Sequence, residues 1–111
     1  MPIYITQGRY TRDAIKGMIA KPEDRAEAVS RLVSKAGGRL ISYYLTFGEY
    51  DFMAVLDAPN NVSAAAVLLA AGSGGGVTDL HTTVAMTTAE ARGAFAAAAD
   101  IAPGFKSAGG T

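Results

Sequence analysis

Residues 3–10, IYITQGRY, alternate between two faces: Ile3 and Ile5 fall on one, Tyr4 and Thr6 on the other. That period of two predicts a half-buried strand. Thr11 follows as a helix cap, and in RDAIKGMIA the residues Ile15, Met18 and Ile19 recur at helical spacing, weakened by Gly17. Pro22 resets the chain and suits a first helical position, with Glu23 and Asp24 near the positive end of the helix dipole. Ala26, Val29, Val33 and Ala36 then form an apolar stripe with Leu32 beside it, and Glu27 and Arg31 make an i,i+4 pair on the wet side. Gly37 and Gly38 end this helix, where one residue takes the left-handed conformation.

Residues 39–46, RLISYYLT, predict a second strand, and residues 50–57, YDFMAVLD, a third. The pair reads as a hairpin joined by a three-residue turn, FGE, in which Gly48 is expected at positive φ and Tyr50 follows as a structural turn residue. Asn61 is expected to cap a helix over VSAAAVLLAAG, with Gly72 just past its end. The loop GSGGG leads to a fourth strand, VTDLHTTVAM, rich in β-branched residues. TTAE matches a capping box, with Thr87 as cap and Glu90 three residues on, and opens a last helix running to about Ala99. The order β-α-β-β-α-β plus a C-terminal helix is the ferredoxin-like, split βαβ arrangement, an α+β fold with a four-stranded antiparallel sheet. One domain over residues 1–100 is expected, with residues 101–111 as a flexible tail.

Two helices cover only one face of such a sheet. Strand three is apolar on both sides, Phe52, Ala54 and Leu56 on one and Met53 and Val55 on the other. A strand of that kind is normally buried on both sides. In a chain this short the obvious cover is a second copy, so a homodimer or an assembly of dimers is expected. Asp51 shares the parity of Met53, and His81 shares that of Asp79 and Thr83. Tyr4, Asp51, Met53, His81 and Thr83 are therefore expected to line one covered cavity as ligand-binding residues, with Tyr4 between the acid and the histidine. Two bland readings stand beside this. Asp51 next to a turn commonly accepts backbone N–H bonds, and a lone histidine is commonly a hydrogen-bonded structural residue. Tyr43 and Tyr44 send one ring to each face, for core or interface packing or for stacking on a ligand.

Ten basic and ten acidic residues leave a formal charge of zero, with no basic stripe, so a nucleic-acid groove is not expected. No cysteine is present, which excludes disulfides and thiolate chemistry. The single histidine gives no ligand spacing, so no metal and no cofactor are expected. GSGGG follows a helix rather than preceding one, the wrong order for a phosphate loop. The N-terminus reads as no signal peptide, and the apolar runs are too short to span a bilayer, so a cytoplasmic location is expected.

The tetrapeptide GEYD at 48–51, within YYLTFGEYDFMAVLDAP, resembles the signature of the GYD domain family. MPIYITQGRYT resembles that family's first strand, and KPEDRAEAVSRLVSKAGGRL its first long helix, with Pro22, Arg25 and the paired glycines in place. The likeness covers about residues 1–95. It implies a place in the dimeric α+β barrel group, in which two ferredoxin-like units pack sheet to sheet. It brings no catalytic residues with it, because related groups range from cofactor-free monooxygenases to effector-binding domains of regulators. The expected function is a small-molecule-binding or sensing module built as a homo-oligomer. The alternatives are a structural or adaptor oligomer and a cofactor-independent oxygenase or isomerase, so whether it is an enzyme stays open.

Overall fold

The computed structural model describes residues 1–110. The elements run β1 (Ile3–Tyr10), α1 (Arg12–Ala20), α2 (Arg25–Lys35), β2 (Arg39–Leu45), β3 (Phe52–Asp57), α3 (Asn61–Ser73), β4 (Val77–Ala85) and α4 (Thr88–Ile101). The four strands form one sheet in the order β2-β3-β1-β4, and every neighbouring pair is antiparallel. This is the ferredoxin-like α+β architecture, with α2 and α3 laid on one face.

Local chemistry sets the boundaries. The Thr11 side chain accepts the Ala14 N–H and starts α1. α2 starts at Arg25 rather than at Pro22: the Asp24 carboxylate caps it by accepting the Ala26 N–H, because a capping acceptor fixes a helix start more firmly than a favourable φ alone. Asn60, not Asn61, caps α3 by accepting the Ser63 N–H, and the helix continues through Gly72 to Ser73. Thr87 and Glu90 close the capping box of α4. Gly37 sits at φ +83° and ends α2.

The hairpin differs from its expected form. The connection is residues 46–51, between the end of β2 and the start of β3. Gly48 does not lie at positive φ, and a Cβ placed there would meet nothing. The loop needs no left-handed residue because side chains and the neighbouring strand hold it. Thr46 Oγ1 donates to the Tyr50 carbonyl at 2.7 Å, and the Asp51 N–H donates to the Gly8 carbonyl at 2.8 Å.

The register sorts the sheet into two faces. Toward α2 and α3 lie rows such as Leu40, Leu56, Tyr4 and Val84, and Tyr43, Ala54, Thr6 and Thr82. The core is built there, around Val33, Ala54, Leu56, Ala58, Ala64 and Val67. Gly8 leaves room for Phe52 and Leu80 to meet over β1: an added Cβ would stand 2.8 Å from each. The opposite face carries Ile5, Val55 and Thr83 in one row and Tyr44, Met53, Gln7 and His81 in the next. No helix among the described residues covers it. α4 has no buried residue.

Candidate functional site

Between the sheet and the two helices lies a cavity of about 220 Å³. Its walls are aliphatic, with Val29 and Val33 from α2, Val67 from α3, Leu56 from β3 and Leu80 from β4. The small residue Ala71 on α3 lines the space without filling it. At one end stand Tyr10 and Tyr43, whose hydroxyls hydrogen-bond to each other, and Arg25 from the first turn of α2. Phe52 fixes both tyrosines. Its ring centroid is 5.2 Å from that of Tyr10 and 5.7 Å from that of Tyr43, nearly parallel to the latter. Burial pushes the Tyr43 phenol far above its ordinary range, and the bond to Tyr10 adds to this. The group is therefore neutral at physiological pH, a hydroxyl that donates and accepts. Thr6 also faces the cavity, but its hydroxyl is engaged with that of Thr82 at 2.9 Å.

The expected ligand set does not assemble as one site. Met53, His81 and Thr83 do share the uncovered face. Tyr4 lies on the other face, 3% exposed, with its hydroxyl donating to Asn61 Oδ1 at 2.6 Å. A large ring fills the space beneath the small residues of α3 better than Ile3 or Ile5 would, so the aromatic parity of β1 goes inward. Asp51 also leaves the set. It sits in a bend before β3 begins, so strand alternation does not reach it. Its Oδ2 accepts the Tyr10 N–H at 3.0 Å while its own carbonyl accepts the Thr46 N–H at 2.8 Å. Tyr50, rather than Asp51, stands beside His81: the rings stack at 6.2 Å, and the Arg9 guanidinium lies 5.2 Å from the Tyr50 centroid. Arg9 in turn pairs with Asp79 at 3.3 Å.

Asp51 is thus a clasp across the hairpin and the end of β1. Removing its carboxylate leaves the Tyr10 N–H without its partner, a loss of about 1–3 kcal/mol for a partly buried group. Asp51→Ala is expected to lower the urea midpoint accordingly, and Asp51→Asn, which keeps an acceptor oxygen, by less. Equal midpoints for Asp51→Ala and the parent would show that the bond carries no stability.

Arg25, Tyr10 and Tyr43 do not stand out as one site in the sequence. Tyr10 has the inward parity of Tyr4, which is a signal. Arg25 lies fifteen positions further on, beyond a whole helix, and no local spacing connects it to a strand. Among the described residues no group of three or more histidines and carboxylates could hold a metal ion, and no helix is long and apolar enough to cross a membrane.

Comparison with known proteins adds a lineage. The chain is 30% identical over 77 residues to the glutamine synthetase and cystathionine beta-lyase binding protein of Thermus thermophilus, a match covering 69% of this chain and 81% of that one. A crystal structure of FFRP-DM1 aligns with a TM-score of 0.49 at 13% identity, over 78% of this chain and 100% of that chain. The sequence pattern of the GYD domain matches residues 4–95, from the inward tyrosine of β1 into α4, and by that match the chain belongs to the GYD domain family.

Proposed function

We propose that this protein is a small-molecule-binding module that works as a homo-oligomer. The observation that carries the reading is the cavity of about 220 Å³ between sheet and helices. An apolar space of this size, bounded at one end by two tyrosine hydroxyls and a guanidinium, has the composition of a ligand site. Self-association is supported by the uncovered sheet face, where Ile5 and Val55 sit side by side and no helix among the described residues packs. In such an assembly Met53, His81 and Thr83 face the space between two sheets and form a second surface for a ligand.

The test is thermal melting of the purified protein against a panel of small metabolites. A ligand at a hundred times its Kd stabilises by about 2.7 kcal/mol, which raises the Tm of a domain this small by roughly 10 °C or more. Val67→Phe, which fills the cavity, is expected to abolish the shift. If no compound shifts the Tm and Val67→Phe simply raises it, the cavity is a packing defect and the reading fails.

A second reading, an adaptor that docks on enzymes, is favoured by the name of the Thermus relative. Phe47, 94% exposed at the tip of the hairpin loop beside Leu45, Ile15 and Ile19, supplies an apolar contact for it. Purified glutamine synthetase and cystathionine beta-lyase are the partners to try first. Binding that Phe47→Asp removes would support this reading, and no binding at micromolar protein would end it.

A further inference from the structure

We infer that the cavity under α2 and α3 takes an amphipathic carboxylate, with an apolar tail among Val29, Val67 and Leu80 and its acid group at Arg25 and the Tyr10–Tyr43 hydroxyl pair. This rests on the small-molecule reading above and names the class of ligand.

The tail follows from the walls. Thr6 is the one hydroxyl along the aliphatic part, and it is already bonded to Thr82. A polar group placed deep in the cavity would lose its water and gain no partner, which costs more than a hydrogen bond returns. Size follows from volume: a cavity of about 150 Å³ holds benzene. The present 220 Å³ therefore takes a ring with a short methylene chain, or an aliphatic tail of similar bulk.

The acid group follows from the other end. Two tyrosine hydroxyls that bond to each other use one of their two protons in that bond. The second O–H is left to donate, and no other protein acceptor bonds to it among the described residues. Arg25 lines both this cavity and an adjoining cleft of about 510 Å³, so its guanidinium stands where the two meet. Its Nη1 donates to Glu23 Oε1 at 3.2 Å, and Nη2 has no protein partner among the described residues. Lys21 lines the same cleft. Two cations against the single carboxylate of Glu23 leave this mouth with one net positive charge. The neutral phenol of Tyr43 adds a donor and no negative charge. A guanidinium beside an O–H donor matches the two oxygens of a carboxylate, and an amine would meet repulsion there.

The experiment is isothermal titration calorimetry of the full chain with 4-phenylbutyrate and with 4-phenylbutan-1-ol, which share a tail and differ in charge. The acid is expected to bind at least tenfold tighter than the alcohol. Arg25→Gln is expected to bring the two within about twofold, and Val67→Phe to remove both. The comparison on the parent chain stands whatever the stability of either variant. If the alcohol binds as tightly as the acid, the cavity holds ligands but the carboxylate assignment is wrong. Preference for the acid that persists in Arg25→Gln overturns the role of that residue. If neither compound binds, this inference is overturned; the small-molecule reading then falls only if the metabolite panel is silent as well.

Discussion

Gly38→Ala is expected to destabilise the fold by about 2–3 kcal/mol, the upper part of the range for forcing extra volume into a packed core. A Cβ at position 38 would run into the carbonyl oxygen of Asp57 and stand 3.1 Å from Val33 Cγ1. Neither neighbour gives way easily. Val33 is 0% exposed, at the centre of the contact between α2 and the sheet. The Asp57 carbonyl is backbone, at the end of a strand whose register with Arg39 and Ile3 is fixed on both sides. The Gly38 N–H also donates to the Val33 carbonyl at 3.1 Å, so the glycine cannot move away without opening the end of α2. Gly48→Ala is the control. Open space surrounds it, and its change should stay within about 0.5 kcal/mol. Urea denaturation of the two variants beside the parent measures the contrast. A Gly38→Ala midpoint equal to that of Gly48→Ala would mean that the turn between α2 and β2 is softer than its packing implies.

That contrast marks what the sequence could disclose. Paired glycines after an apolar stripe signal a helix end, and Gly37 does take the left-handed conformation. The demand on Gly38 is tertiary: it arises from a strand almost twenty residues later and has no local signature. Gly48 misleads for the converse reason. A glycine between two strands usually supplies positive φ, but here Thr46, Asp51 and Gly8 hold the loop through hydrogen bonds that a turn rule does not consider. The strands, the helices and their order were legible because hydrophobic period and caps are local. The bulge in β4 was not. Asp79 sits at φ +52°, where the register between Gln7 and Arg9 shifts, and nothing in VTDLH announces an extra residue.

The two faces of the sheet were legible only in part. Parity along β3 and β4 correctly groups Met53 with Val55 and His81 with Thr83. Parity cannot say which group faces the helices when both are apolar. The placement of Tyr4 turned on Asn61, whose side chain receives its hydroxyl instead of capping α3, and that contact spans fifty-seven positions. The cavity itself depends on the small residues of α3 and on the aromatic trio of Tyr10, Tyr43 and Phe52. Those come from three strands, and only the register brings them together.

Val55→Glu is expected to convert an oligomer into a monomer without unfolding it. Val55 lies in the middle of the uncovered face, opposite Ile5 on one side and Ser42 on the other. Within a single chain a carboxylate there would reach water, at the cost of a modest loss of β-propensity. Against a second copy it would be buried without a partner, which costs several kcal/mol. A two-fold interface doubles that loss, because the same position enters from both subunits. An obligate sheet-to-sheet interface commonly buries more than about 2,000 Å², so the parent should stay associated at micromolar concentration in light scattering. The Val55→Glu chain should run as a monomer with its far-UV circular dichroism intact and its Tm lowered. Glutamate at the loop tip, in Phe47→Glu, should leave the parent's mass unchanged, because that position is on the hairpin loop and not on the sheet face. A parent protein that is monomeric at micromolar concentration, or a Val55→Glu variant that keeps the parent's mass, would show that the second copy does not cover this face.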